Sequence, residues 1–336
     1  MANPVVVEVR RGALTESFHR GAVAIVRASG EAVLELGDTG RPVFPRSAIK
    51  PLQCLPLIET GAADRFGFGA AEIALACASH AGSEQHVALA ASMLARAGLD
   101  VAALACGAHP PSEVSADREL YHAGRRPTAL HNNCSGKHAG MLATAVHCGE
   151  APDGYWQPEH PVQVRIRRTL EDLLGRELGA SVLAVDGCSA PNWAVPVRDL
   201  ARAFAQFAVG EGAAAPHRVA AERIMTACWQ APDLVAGEGR LDTEAMRRLP
   251  EEVLMKTGAE GVYCAAVPKL GLGIALKIDD GAKRAAEALV AHLVAHFIPK
   301  AVSLVPSGVM RNWRGLTVGE IRPSAALMTA LRSVAA

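Results

Sequence analysis

The spacing of apolar and polar positions changes character twice along the chain. Residues 4–12, PVVVEVRRG, are rich in β-branched side chains and predict a strand. Two apolar runs around Ala-Ser-Gly-Glu in 21–40 predict a hairpin. From there the period lengthens. Segments 47–60, 70–79, 83–97, 137–147, 160–174, 197–208 and 216–229 carry Ala/Leu-rich repeats near 3.6 residues and predict helices. Loops rich in Pro, Gly and Asn divide them, notably CGAHPPSEVSADREL and HNNCSGKHAG. Strand character returns at SVLAVDG (181–187), then as a second hairpin over 260–279. A long helix at 281–298 and a short strand near GEIRPS complete the pattern. Strands at both ends with helices between them predict an α+β fold, in which an antiparallel sheet is closed by both termini. The expected organisation is a single unit of two lobes: a sheet lobe of about 1–45 and 250–336, and an inserted helical lobe of about 46–249. No regular βαβ alternation occurs and no Gly-x-Gly-x-x-Gly follows a strand, which argues against a dinucleotide fold.

With half of its 336 residues apolar, the chain can bury a sizeable core. Lys+Arg and Asp+Glu both total 34, so net charge gives no reason to expect nucleic acid or an anionic membrane as partner. The N-terminal stretch lacks a basic segment leading into an apolar one, and no apolar run approaches the ~20 residues of a membrane span. A cytoplasmic protein is the expectation. Eight cysteines are scattered with no Cys-x-x-Cys, and in a reducing compartment they read as thiols unless two share a metal.

The chemistry starts at PRSAIKPLQC, residues 45–54, where Ser47 and Lys50 interrupt an apolar stretch. Serine becomes a nucleophile when a neighbour takes its proton. Lysine can do so only when neutral, which requires desolvation or nearby positive charge to lower its pKa from about 10.4. Three residues along a helix place both groups on one face. A Ser-x-x-Lys match is expected about once by chance in a chain this size, so the alternative is a surface lysine beside an ordinary serine. Pro51 restricts the helix to begin no earlier than about Ser47. Downstream stand Lys256-Thr257-Gly258, in the order found in serine β-lactamases and penicillin-binding proteins. Ser79, in CASHAGSEQH, ends an apolar helix where a middle motif would be needed; read alone it is a turn residue.

A second constellation lies in HNNCSGKHAG, which packs His131, Asn132, Asn133, Cys134, Ser135, Lys137 and His138 ahead of an apolar helix. Capping that helix needs only Asn133 or Ser135. Further on, AVDGCSAPNW ends a strand with Asp186 and Cys188. Two thiolates with nitrogen ligands suit Zn2+, whereas Cys134 with His138 four residues later could be a nucleophile pair. Spacing does not choose between them.

Taken together, PRSAIKPLQ, ASHAGSEQH, HNNCSGKHAG, VDGCSAPNW and KTGAEGVYC resemble the Rhizobium etli-type L-asparaginases, the asparaginase II family, from about residue 5 to about 325. The resemblance implies a fold related to serine β-lactamases and glutaminases, a homodimer, and hydrolysis of L-asparagine to aspartate and ammonia. It implies two Ser-Lys tandems, Ser47–Lys50 and Ser79–Lys256, with Ser47 the nucleophile. It further implies a zinc ion held by Cys134, Lys137 and Cys188, aiding substrate binding or site order rather than activating water. His138 and Asp186 then fall beside the zinc ligands or the substrate, and Arg46 is a candidate for the substrate carboxylate. Two alternatives remain at this point: another serine hydrolase of the β-lactamase or D-Ala-D-Ala peptidase type, and a non-catalytic zinc-binding protein.

Overall fold

A computed structural model describes residues 2–210, 212–305 and 308–334, without side chains for 212–214. Its centre is an eight-stranded sheet. The strands are Val5–Arg11 (β1), Leu14–Arg27 (β2), Ala32–Leu36 (β3), Leu254–Thr257 (β4), Val262–Val267 (β5), Leu272–Ile278 (β6), Val309–Arg311 (β7) and Thr317–Pro323 (β8). They run β7-β8-β1-β2-β6-β5-β4, with β3 also on β2, and every pairing is antiparallel. Both chain ends therefore build the sheet.

The long strand β2 changes environment midway. Leu14–Ser17 are largely exposed beside β1, whereas Gly21–Val26 are buried throughout, because that half pairs with β6 and is covered on both faces. One face packs under helix Val197–Val209 and the other under helix Lys283–Phe297. Alternate residues accordingly feed different cores: Ala22, Ala24 and Val26 join the helical side with Leu200 and Phe204, and Val23 and Ile25 join Leu289 and Leu293. Gly273 in β6 lets the first helix come close, since a Cβ there would meet the Ala201 carbonyl oxygen at 1.9 Å. Helix Val197–Val209, expected in the inserted part, thus lies directly across the sheet.

The strands at 4–12 and 21–40 and the late hairpin occur where the pattern places them, and so do most of the helices. Five regions differ. The helix expected over 47–60 is a 3-10 turn, Arg46–Ile49, followed by two short helices, Lys50–Gln53 and Leu55–Glu59. Pro51 and Pro56 each enter the first turn of a new helix, where a missing N–H costs nothing. The strand at 181–187 shortens to Leu183–Val185 and pairs with Pro191–Trp193 as a separate hairpin outside the sheet. Helices Val114–His122, Leu241–Arg248 and Ala325–Arg332 were not expected. Among the described residues, no helix is long and apolar enough to cross a membrane.

Candidate active site

Ser47 stands on the 3-10 turn that leaves the sheet region. The turn is entered through Arg46 at φ +53°, a left-handed conformation that costs an arginine about 1–2 kcal/mol. Ser47 is half-buried, and its hydroxyl makes no hydrogen bond among the described residues. One turn on, Lys50 is 1% exposed. Its Nζ donates to the Ala78 carbonyl at 2.5 Å and to Ser79 Oγ at 3.0 Å. The hydrogen-bonded Ser-Lys pair is therefore Lys50 with Ser79, not the expected Lys50 with Ser47 or Lys256 with Ser79. The reason is geometric. The CASHAG segment leaves helix Ala70–Ala76 extended and lays the Ala78 carbonyl and Ser79 against the lysine, while the Ser79 N–H is held by the Val235 carbonyl at 2.9 Å.

Lys256 reaches this region from edge strand β4. Gly258 makes that possible, because a Cβ there would lie 2.7 Å from the Pro45 carbonyl oxygen, so the strand end closes directly on the Ser47 turn. Lys256 is fully buried and its Nζ donates to the Thr257 carbonyl at 3.0 Å. Burial brings its amine down to about 8, against the opposing pull of Asp242 and with further lowering from Lys50.

The cysteine loops converge beside these residues. Cys134, at the start of helix Ser135–His147, is 3% exposed; Lys137 is 5% and Cys188 3% exposed. Lys137 Nζ donates to Cys188 Sγ at 3.1 Å across 51 residues of chain. The neighbouring Cys134 drives the Cys188 thiol down against burial, with Lys137 assisting, while Cys188 and burial push Cys134 well up, and Cys134 Sγ donates to Asn133 Oδ1 at 3.0 Å. Burial pulls Lys137 down, but Cys188 and Cys134 outweigh it and hold the ammonium.

The loop's polar residues have defined tasks. The Cys134 N–H is held by Asn132 Oδ1 at 2.9 Å, so Asn132 rather than Asn133 or Ser135 organises the helix start, and Asn132 Nδ2 donates to the Cys106 carbonyl. His138 Nδ1 meets the Tyr155 hydroxyl at 2.6 Å, and its buried Nε2 makes no geometric hydrogen bond among the described residues, although the ring is electrostatically coupled to Cys188. Asp186 links the two halves: it forms an ion pair with Arg46 Nε, and its Oδ2 lies 3.5 Å from Cys188 Sγ. Ser189 at φ +72° turns the hairpin tip that carries Cys188.

Zinc fits this donor set. Two cysteine sulfurs and an amine are soft and borderline donors, and the His138 ring is electrostatically coupled to Cys188 beside them. Among the described residues no three His, Cys, Asp or Glu side chains converge on one point. A lysine amine can serve as a metal donor only after giving up its proton.

His80 drew no attention in the sequence, although it directly follows Ser79. Its Nε2 meets Ser135 Oγ at 2.9 Å, its backbone N–H donates to the Asn133 carbonyl, and burial pushes the ring well below its usual range. It therefore ties the Ser-Lys half to the cysteine loop as a neutral imidazole. The same junction depends on Gly136, where a Cβ would sit 2.3 Å from the Leu75 carbonyl oxygen. Gly136→Ala is expected to cost about 1–3 kcal/mol by forcing the two helices apart, read as a lower thermal midpoint together with lost activity. An unchanged midpoint would contradict this close packing.

Comparison with known proteins follows the same lines. A search of curated proteins gives no match. Among solved structures, a crystal structure of Mglu is similar with a TM-score of 0.46 at 16% identity, covering 89% of this chain and 72% of that one. Mglu in its tris and glutamate form gives 0.45 and 16%, and this chain spans 63% of that chain, less than two thirds of its length. The L-asparaginase II family model matches residues 7–323, which hold every residue of the site just described. The chain belongs to the L-asparaginase II family.

Proposed function

We propose that the protein is an L-asparagine amidohydrolase, acting through Ser47 as nucleophile and releasing aspartate and ammonia. The observation that carries this reading, within an amidohydrolase family, is a buried lysine hydrogen-bonded to Ser79 beside a serine hydroxyl that has no partner of its own. Lys50 would spend two donors on Ala78 and Ser79, and in its neutral form would keep its lone pair for the Ser47 proton. Ser47 Oγ then bonds to the amide carbon, the C–N bond breaks, and ammonia leaves with a proton. Lys256, at about 8, is mostly protonated near neutrality and is the acid we assign to that departure. Water hydrolyses the resulting ester. Backbone N–H groups at the start of the Ser47 turn are the oxyanion donors in this scheme.

Arg46, steadied by Asp186, keeps guanidinium N–H groups for the substrate carboxylate. Cys134, Lys137 and Cys188 would hold zinc, whose charge would neutralise the thiolates and order the two loops. His138 and Asp186 border both regions. A homodimer and a cytoplasmic setting belong to this reading, as does kinship with the serine β-lactamase fold, which the motif order Ser-x-x-Lys then Lys-Thr-Gly supports.

The test is ammonia release from asparagine, glutamine and simple amides, with and without added Zn2+. Turnover of asparagine above the others is expected. No ammonia from any amide under either condition would sink the reading.

A further inference from the structure

Ser79 and His80 leave helix Ala70–Ala76 as an extended segment, and the His80 ring is almost fully enclosed. The direction of its hydrogen bonds fixes where its proton sits. Nδ1 accepts the Gly82 N–H at 3.2 Å and so carries no hydrogen, which places the one proton of the neutral ring on Nε2. Nε2 therefore donates to Ser135 Oγ at 2.9 Å, and Ser135 passes its own hydrogen to the Leu130 carbonyl at 2.9 Å. His86 repeats the arrangement. Its Nδ1 accepts the Ser83 N–H at 3.2 Å, and its Nε2 lies 3.1 Å from the Asp233 carbonyl, which can only accept. The two rings stack, with centroids 4.8 Å apart and planes 11° from parallel.

Several segments meet at this stack. The Ser79 N–H donates to the Val235 carbonyl, the His80 N–H to the Asn133 carbonyl, and the Ala81 carbonyl accepts the Glu113 N–H. Those bonds hold the segment by its backbone. The His80 ring, clamped between His86 and Ser135, adds a side-chain strut to the first turn of helix Ser135–His147.

We propose that His80 is a positioning residue for the Lys50–Ser79 pair: fixed as its Nε2–H tautomer and braced by His86, it sets the segment at the depth where Ser79 Oγ meets Lys50 Nζ at 3.0 Å. This rests on the reading of Lys50 as the base that activates Ser47. The other tautomer would set two donors against each other at Gly82 and would make Ser135 abandon the Leu130 carbonyl to donate to the ring.

In 15N-histidine-labelled protein near neutrality, long-range proton–nitrogen correlations should show His80 with a bare Nδ1 and a protonated Nε2; its signals are assigned by their loss in His80→Gln. His80→Asn has an amide that reaches Gly82 but falls short of Ser135. In crystals of that variant the separation of Ser79 Oγ from Lys50 Nζ should open to beyond about 3.5 Å. Its kcat should fall on the order of 100-fold, the cost of misplacing a group by about 1 Å. KM should stay within about threefold, because no substrate contact is removed. His80→Gln has a longer amide that can donate to Ser135; losing only the Gly82 bond, it should keep kcat within about tenfold of the wild type. A protonated Nδ1, an unchanged Ser79–Lys50 separation in His80→Asn, or equal turnover in the two variants overturns the proposal. Should His80→Asn not fold, Ser135→Ala removes the acceptor and keeps the ring; it should open the same separation, and an unchanged one is equally fatal. The spectrum and the crystals report even where no amide is hydrolysed, so failure of the asparaginase reading and failure of this proposal are told apart.

Discussion

Ser47→Ala is expected to lower kcat/KM for asparagine on the order of 10⁴-fold or more, with the fold intact. The size follows from removing the atom that would bond to substrate: groups acting as one catalytic unit lose nearly everything when one member is deleted. The fold should survive because the hydroxyl is half-buried and makes no hydrogen bond among the described residues, so its loss leaves no buried partner stranded. A stability change within about 0.5 kcal/mol is expected. Ammonia release and thermal unfolding on one preparation check both halves. Ser79→Ala is the informative contrast, since it removes the partner of a fully enclosed amine and should lower stability as well as activity. If Ser47→Ala keeps wild-type turnover and a trapped acyl group is found by mass spectrometry on Ser79, the two serines exchange roles and the scheme fails as written.

That contrast also marks where the sequence stops informing. β-Branched composition made β1 readable, two apolar runs around Ala-Ser-Gly-Glu made the β2–β3 hairpin readable, and Ala/Leu periodicity made most helices readable. Strand β4 is buried at all four positions and so carries no alternation. Helix Leu241–Arg248 is short and half of its residues are charged, so little in the apolar pattern announced it. Pro51 was visible as a limit on the helix start, but the outcome, three short turns in place of one helix, depends on how the segment packs. Ser47 and Lys50 are close in sequence, which favoured pairing them. The partner that Lys50 takes lies 29 residues away and depends on the extended exit from helix Ala70–Ala76. Local spacing cannot encode such a contact. The Lys137–Cys188 contact is equally remote, and here the resemblance of the two loops to one family supplied what spacing left open.

Cys188→Ala is expected to strike at metal and stability together. Cys188 sits at a hairpin tip, enclosed, with Lys137 Nζ 3.1 Å from its sulfur and Asp186 Oδ2 3.5 Å away. In protein stripped of metal, the substitution leaves the buried Lys137 ammonium without the thiolate that faces it, and uncompensated buried charge of this kind costs about 3–5 kcal/mol. In protein offered zinc, one of two sulfur donors is gone, and affinity should fall by more than the roughly 100-fold that loss of a mere supporting group produces. Competition with a chromogenic chelator reads the affinity, and thermal unfolding with and without metal reads the linkage, because a ligand that binds only the folded state raises its midpoint. The wild type should therefore gain stability on adding zinc and the variant should not. Cys148→Ala, at an exposed thiol, is the control and should change neither quantity. Equal zinc affinity in wild type and Cys188→Ala would remove Cys188 from the metal set, and with it the assignment of Lys137 as a ligand.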